Sequence, residues 1–354
     1  MKKLFCLFLS VFLVLNSCNE HLKYKYAQSF SHKDIGEIIY IEGVELEIDE
    51  MIMRPKSVTL IDTILIVTNI GMQNFIHRYD IKNKTKIGES ISFGSGPEEM
   101  LNVQDVQVSF DDTTVWILDS RKQEAYQYNK YDICISDSPI PLQSIKFNDY
   151  FDKMLVLSDN KIVASTLNPE NTHLSFYNMQ GVLIQDNCDF PDAGITQTLY
   201  ERIESFLGDM VFDFSTQRIF FAYKQTDLID IYDIDGNLLY RSHGPDRFFS
   251  YMKQYDINQG VKVRSESGKT RDGYYFPVVN NNEIWTLYSG KYFDREIPNY
   301  LLDQIIVFNW DGKPIRQYKL DRPIYTFTID VENQTLYGVS DDPQFVILKF
   351  DLKK

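Results

Sequence analysis

Ile219-Phe-Phe-Ala-Tyr223 and, a few residues on, a second apolar run ending Tyr232-Asp233-Ile-Asp-Gly-Asn237 read as two short strands followed by a tight turn. The same ending, an aromatic residue followed at once by Asp or Asn, closes five other apolar runs: Tyr79-Asp80, Tyr128-Asn129, Tyr177-Asn178, Phe308-Asn309 and Phe350-Asp351. Successive pairs lie 49, 49, 55, 76 and 42 residues apart, the scale of one small four-stranded sheet per repeat. Upstream of each pair stands a run rich in β-branched and aromatic residues, such as Val115-Trp-Ile-Leu-Asp119 or Ile284-Trp-Thr-Leu-Tyr288. Polar turns separate these runs from one another, so each repeat supplies four antiparallel strands.

A single sheet of this size cannot bury both of its faces, and packing six of them radially around an axis supplies the missing cover. The expected fold is therefore all-β, a six-bladed β-propeller, although the interval of 76 residues leaves room for a degenerate seventh unit. After Phe350-Asp351 only three residues remain, too few for a fourth strand in the last blade. The alternating segment Ile35 to Ile48 has no other partner, and it is expected to provide that outer strand and close the ring. The run Phe93-Gly-Ser-Gly-Pro-Glu-Glu-Met100, then Val106 to Asp112, Val115 to Asp119 and Ala125 to Tyr128, resembles an NHL-type blade. More widely the chain resembles the TolB-like six-bladed propeller lipoproteins of Gram-negative bacteria. That resemblance implies a propeller fold and export, and it implies no particular activity.

Lys2 and Lys3 precede the apolar run Leu4 to Leu15, a charged start and a hydrophobic middle. Twelve such residues are too few to span a bilayer, which takes about 20. Leu15-Asn16-Ser17-Cys18 resembles the lipobox of bacterial lipoproteins, which implies acylation of Cys18 after cleavage; an ordinary secretory signal is the alternative. Residues 1–17 are then a lipoprotein signal peptide, 18–33 a polar lipidated tether, and 34–354 one propeller domain. The expected location is the cell envelope, at the outer membrane, with the side left open. The lipid is the only expected membrane attachment.

Without Lys2 and Lys3 the chain carries 34 basic and 50 acidic side chains, a formal charge of −16, and such a surface disfavours nucleic acid. Of the cysteines, Cys6 leaves with the signal, and Cys134 and Cys188 are expected to be free, half-buried thiols. Neither a metal nor a cofactor is expected: no His has a zinc-type partner at i+4, and no Gly-x-Ser-x-Gly elbow occurs. Gly94-x-Gly96-Pro97 does not open a helix and reads as a tight crossover, while Asp233-Ile-Asp-Gly-Asn237 reads as a hairpin turn rather than a calcium loop.

In a four-stranded meander the loop between the second and third strands and the crossover to the next blade leave on one face. The longest insertions, His243 to Gly273 and Ser289 to Asp303, therefore share a face, and both are rich in aromatic and basic residues. Candidate binding residues there are Arg247, Tyr251, Tyr292 and Arg295, joined by Arg54, Glu98, Arg121 and Lys224 from loops of other blades. Basic groups at the mouth of an acidic protein suit an anionic sugar or a peptide carboxylate. The leading reading is a monomeric, non-catalytic binding domain for an envelope protein, peptide or glycan. Two others stay open: a carbohydrate-active hydrolase or lyase with carboxylates at the central channel, and a purely structural envelope component without a concave pocket.

Overall fold

The repeat signature has a local cause in side-chain hydrogen bonding. In a computed structural model describing residues 22–48, 54–167, 172–258, 260–293, 301–342 and 344–353, all six aromatic-Asx pairs end the third strand of a blade. The aromatic ring is buried between sheets. The following Asx turns its Oδ1 onto the next turn, accepting from backbone N–H groups: Lys82 and Asn83 on Asp80, Gln180 and Val182 on Asn178, Asp235 and Asn237 on Asp233. Asn129, Asn309 and Asp351 do the same. One dipeptide thus anchors the core, at about 1.5–3 kcal/mol per buried side chain, and fixes the turn. Gly181, Gly236 and Gly312 complete three of these turns at φ of 72°, 79° and 73°, where a side chain would be strained.

From axis to rim, blade 1 comprises Pro55–Ile61, Ile64–Asn69, Asn74–Asp80 and Thr85–Ser92. Blade 2 comprises Val103–Val108, Thr114–Asp119, Glu124–Asn129 and Gln143–Lys146. Phe151–Ser158, Lys161–Thr166, Leu174–Tyr177 and Leu183–Cys188 form blade 3. Gly208–Asp213, Arg218–Tyr223, Leu228–Asp233 and Leu238–His243 form blade 4. Blade 5 is Tyr274–Asn280, Glu283–Tyr288, Leu302–Phe308 and Pro314–Ile324. Thr326–Asp330, Thr335–Ser340 and Val346–Asp351 make blade 6, whose outermost strand is Gly43–Glu45, paired antiparallel to Val346–Asp351. The ring is closed by the N-terminal strand, and the long fourth interval holds an inserted hairpin, Met252–Ile257 with Gly260–Ser265, in place of a seventh blade.

Two sequence expectations are corrected by this path. Only three residues of Ile35 to Ile48 form the closing strand; Ile38–Ile41 instead pairs parallel to the outer strand of blade 5. The polar reading of 18–33 also stops short, because Ala27–Ser29 pairs parallel to the outer strand of blade 4 and Tyr24, Ala27 and Phe30 are buried. Tyr24 and Phe30 are spaced too far apart among polar residues to show a strand period, yet their rings fill gaps at the blade 4 rim against His243 and Phe308. The chain from Tyr24 to Glu45 is therefore a strap that covers the outer edges of blades 4, 5 and 6 in turn. Cys134 and Cys188 are buried rather than half-buried, and burial pushes their thiols up to about 11 and about 12. Among the described residues no helix is long and apolar enough to cross a membrane.

Candidate binding site at the channel mouth

The innermost strands of all six blades line a central channel of about 360 Å³. At the face where the inner turns emerge, Phe214 of blade 4 lines the channel and its ring meets that of Phe110 from blade 2 at 5.5 Å, so aromatic rings crowd that end. At the crossover face the same strands begin, and their second or third residues are charged in blades 1 to 4: Lys56, Asp105, Lys153 and Asp209. Radial packing brings the four together. Lys153 bridges Asp105 and Asp209, with Nζ 3.2 Å from Asp209, and Lys224 from the inner loop of blade 4 closes on Asp209 at 2.7 Å. Asp209 also accepts from the backbone N–H of Phe276 at 3.1 Å.

Enclosure inside the channel would push both carboxyls up, but the Lys153 charge beside Asp105, and the Lys224 and Lys153 charges beside Asp209, outweigh it and hold both below the usual carboxylate range. Lys153 is held above the usual amine range, because its two carboxylates outweigh its burial. Lys56 is different. Its Nζ donates to the Val103 carbonyl at 2.9 Å, and among the described residues no carboxylate lies within ion-pair distance of it. Burial first, and the Lys153 charge second, lower it to about 8.

Beside this mouth runs a groove of about 520 Å³ lined by Leu207, Lys224, Lys262, Arg264 and Phe293, among others. One wall is the inserted hairpin. It is held by the helix Leu199–Ser205, which starts with a capping box in which Thr198 and Glu201 exchange hydrogen bonds. Glu201 then accepts from the backbone N–H of Gln254 at 2.9 Å, and Gln254 Oε1 accepts from the Thr198 hydroxyl at 2.9 Å. Lys224 belongs to both features, so groove and channel mouth are continuous.

Of the residues singled out from the sequence, Lys224 alone reaches the channel cluster. Arg54, Glu98 and Arg121 are exposed on the same face and line neither channel nor groove. Arg247, Tyr251 and Tyr292 sit in the blade 4 to 5 crossover and its neighbouring loop, in a unit built on two carboxylates. Asp227 accepts from the backbone N–H groups of Asp246, Arg247 and Phe248 at 2.6 to 2.9 Å. Asp246 takes Arg271 at 2.6 Å and the Tyr288 hydroxyl at 2.8 Å, and the Arg271 guanidinium lies over the rings of Phe248 and Tyr292. These bonds fasten the insertion to the rim. Cys18 and Arg295 lie outside the described residues. The sequence reading missed Lys56, Asp105, Lys153 and Asp209; the available signal was a charge recurring at the second or third residue of four successive inner strands.

A ring of six four-stranded blades around a channel, with aromatic crowding at one end and a charged mouth at the other, is a six-bladed β-propeller. The chain belongs to the TolB-like 6-blade propeller-like family, which it matches over residues 36–332. Among solved structures it is similar to a member of the DUF4221 family from Bacteroides vulgatus ATCC 8482, at 11% identity over 89% of this chain and 97% of that one, with a TM-score of 0.55. A protein of Bacteroides fragilis NCTC 9343 described as exported is similar at 14% identity over 92% and 99% of the two chains, also at 0.55. Raptor from Chaetomium thermophilum is similar at 11% identity over 88% of this chain and 28% of its own, at 0.51. At such identities the likeness is one of fold. No curated protein matches the chain.

Proposed function

We propose that this protein is a non-catalytic binding protein of the cell envelope, anchored by a lipid on Cys18, which takes an anionic group of a protein, peptide or glycan at the crossover-face mouth of its channel. The observation that carries the reading is Lys56: an ammonium at the start of the inner strand of blade 1, bonded to the Val103 carbonyl of blade 2, near Lys153 and without a carboxylate of its own among the described residues. Lys153 and Lys224 have their charges answered by Asp105 and Asp209, so a ligand carboxylate would supply the missing counter-charge. Similarity to an exported protein and the lipobox-like start support the envelope location.

The hydrolase alternative finds no acid within the channel cluster, because glycoside cleavage needs one carboxyl that stays protonated and both Asp105 and Asp209 are held ionised by lysines. Titration of hexagalacturonate or an acidic peptide into the protein by calorimetry tests the reading. Lys56→Met is expected to weaken binding about tenfold, the size of one charge-assisted hydrogen bond. Because the free amine titrates at about 8, affinity is expected to be full at pH 7, to decline as pH rises through 8, and to be accompanied by proton uptake near pH 8 to 9. Anion binding that ignores both Lys56→Met and pH would overturn the mouth assignment. Palmitate labelling that is absent from the wild type would overturn the anchor.

A further inference from the structure

The inserted hairpin is a two-stranded sheet standing in the groove wall, and its strand Gly260–Ser265 pairs on one side only, with Met252–Ile257. Among the described residues no other main chain bonds to that strand. Four consecutive residues, Lys262 to Ser265, line the groove. Side chains alternate between the two faces of a strand, so a consecutive run facing one groove means that the strand presents its edge to it. The register then sorts the faces. Lys253 opposes Arg264 and Tyr255 opposes Lys262 on one face, whereas Gln254 and Val263 lie on the other, where the Gln254 side chain meets Thr198. One face thus carries Lys253, Lys262 and Arg264, all exposed and without an acidic partner among the described residues, on a chain of net charge −14. A lone hairpin is of marginal stability in water, and a third strand would complete it.

We infer that the groove receives an extended acidic peptide, which adds as a third strand to Gly260–Ser265 and lays alternate carboxylates beside Lys262 and Arg264, with Lys253 adding its charge from the strand behind Arg264. The inference rests on the mouth reading and narrows its ligand from any anion to a polypeptide. Main-chain pairing along a six-residue edge supplies affinity without sequence preference, while the period of two in side-chain direction supplies selection for acid at every second position. Lys224, shared by groove and mouth, continues the basic track to the channel, where a terminal carboxylate would meet Lys56.

Fluorescence anisotropy with labelled Glu-Val-Glu-Val-Glu-Val, its Lys-Val counterpart and hexagalacturonate, on the full chain in detergent, tests this, together with hydrogen exchange of the amides of 260–265. The acidic peptide is expected to bind and the lysine peptide to fail. Amides in 260–265 should gain protection, and K262E/R264E should weaken binding about tenfold or more, since both side chains are exposed and their reversal leaves the fold intact. Peptide binding without that protection, or unaltered by K262E/R264E, overturns strand addition. Hexagalacturonate binding that is lost in Lys56→Met while the peptide fails overturns this inference and leaves the mouth standing. If no anion binds and Lys56→Met is silent, both fall.

Discussion

Blades 4 to 6 and blades 1 to 3 solve the same edge problem differently. The outer strands of blades 4 and 5 are covered by Ala27–Ser29 and Ile38–Ile41, and the same chain then supplies Gly43–Glu45, a strand of only three residues, as the outer strand of blade 6, so no long edge is left open there. On the other half the outer strands are bare and are blunted locally. Blade 2 ends in a strand of only four residues, and blades 1 and 3 carry register irregularities between their third and fourth strands. Exposed apolar residues occur on both halves, Val182, Leu183, Ile184, Ile140 and Leu142 on the bare rim and Ile38, Tyr40 and Val44 on the strap. The strapped half also carries the groove hairpin.

The sharpest break of this asymmetry is removal of the strap. Deleting residues 22–48 exposes the pockets of Tyr24, Phe30, Ile35 and Ile41, a loss of about 6–12 kcal/mol at 1.5–3 each, comparable to the whole margin of a folded domain. Cooperative urea unfolding followed by circular dichroism is expected to disappear; a deletion protein that melts like the parent would refute the role of the strap. Next in size is a pair of acid deletions. Asp230 in blade 4 is fully buried, takes Arg241 through two bonds of 2.7 and 2.6 Å, and accepts from the Tyr223 and Tyr232 hydroxyls. Asp230→Ala is expected to cost about 3–5 kcal/mol, because it leaves a buried guanidinium alone. Asp137, the exposed partner of buried Arg78 in blade 1, should cost under about 1 kcal/mol, since Arg78 keeps the Ser136 and Glu89 carbonyls. Equal midpoints for the two variants would remove the contrast.

Smaller again is the pH dependence at the mouth. Lys56 is lowered from 10.5 to about 8, so below pH 8 it is charged in both folded and unfolded chains and its penalty is constant. Between about pH 8 and 10.5 only the unfolded chain holds the proton, and stability is expected to rise with pH relative to Lys56→Met. A parallel profile for the two proteins would contradict this. The smallest effect belongs to the bare rim: Ile140→Ser with Leu142→Ser should shift the urea midpoint by no more than about 0.5 kcal/mol equivalent.

Much of the blade repeat was legible because its cause is local. An aromatic ring and an Asx side chain serve the same strand end six times, and a local cause leaves a local mark, as at Tyr232-Asp233 and Asp235. Candidate residues chosen by loop length lie mostly apart from the charged cluster. Arg247 and Tyr292 belong to a bonded insertion, whereas the charges that meet, Lys56, Asp105, Lys153 and Asp209, lie 48 to 56 residues apart and look ordinary one at a time.

The order of residues alone determined the number of sheets, the place of their turns and the need for a closing strand, because these follow from periods of two and of about fifty along the chain. Only the folded ring decided that the first described residues bind three blades in turn, and that four separate charges share one mouth. Radial packing brings together positions that are equivalent in successive repeats, and no stretch of sequence contains that meeting.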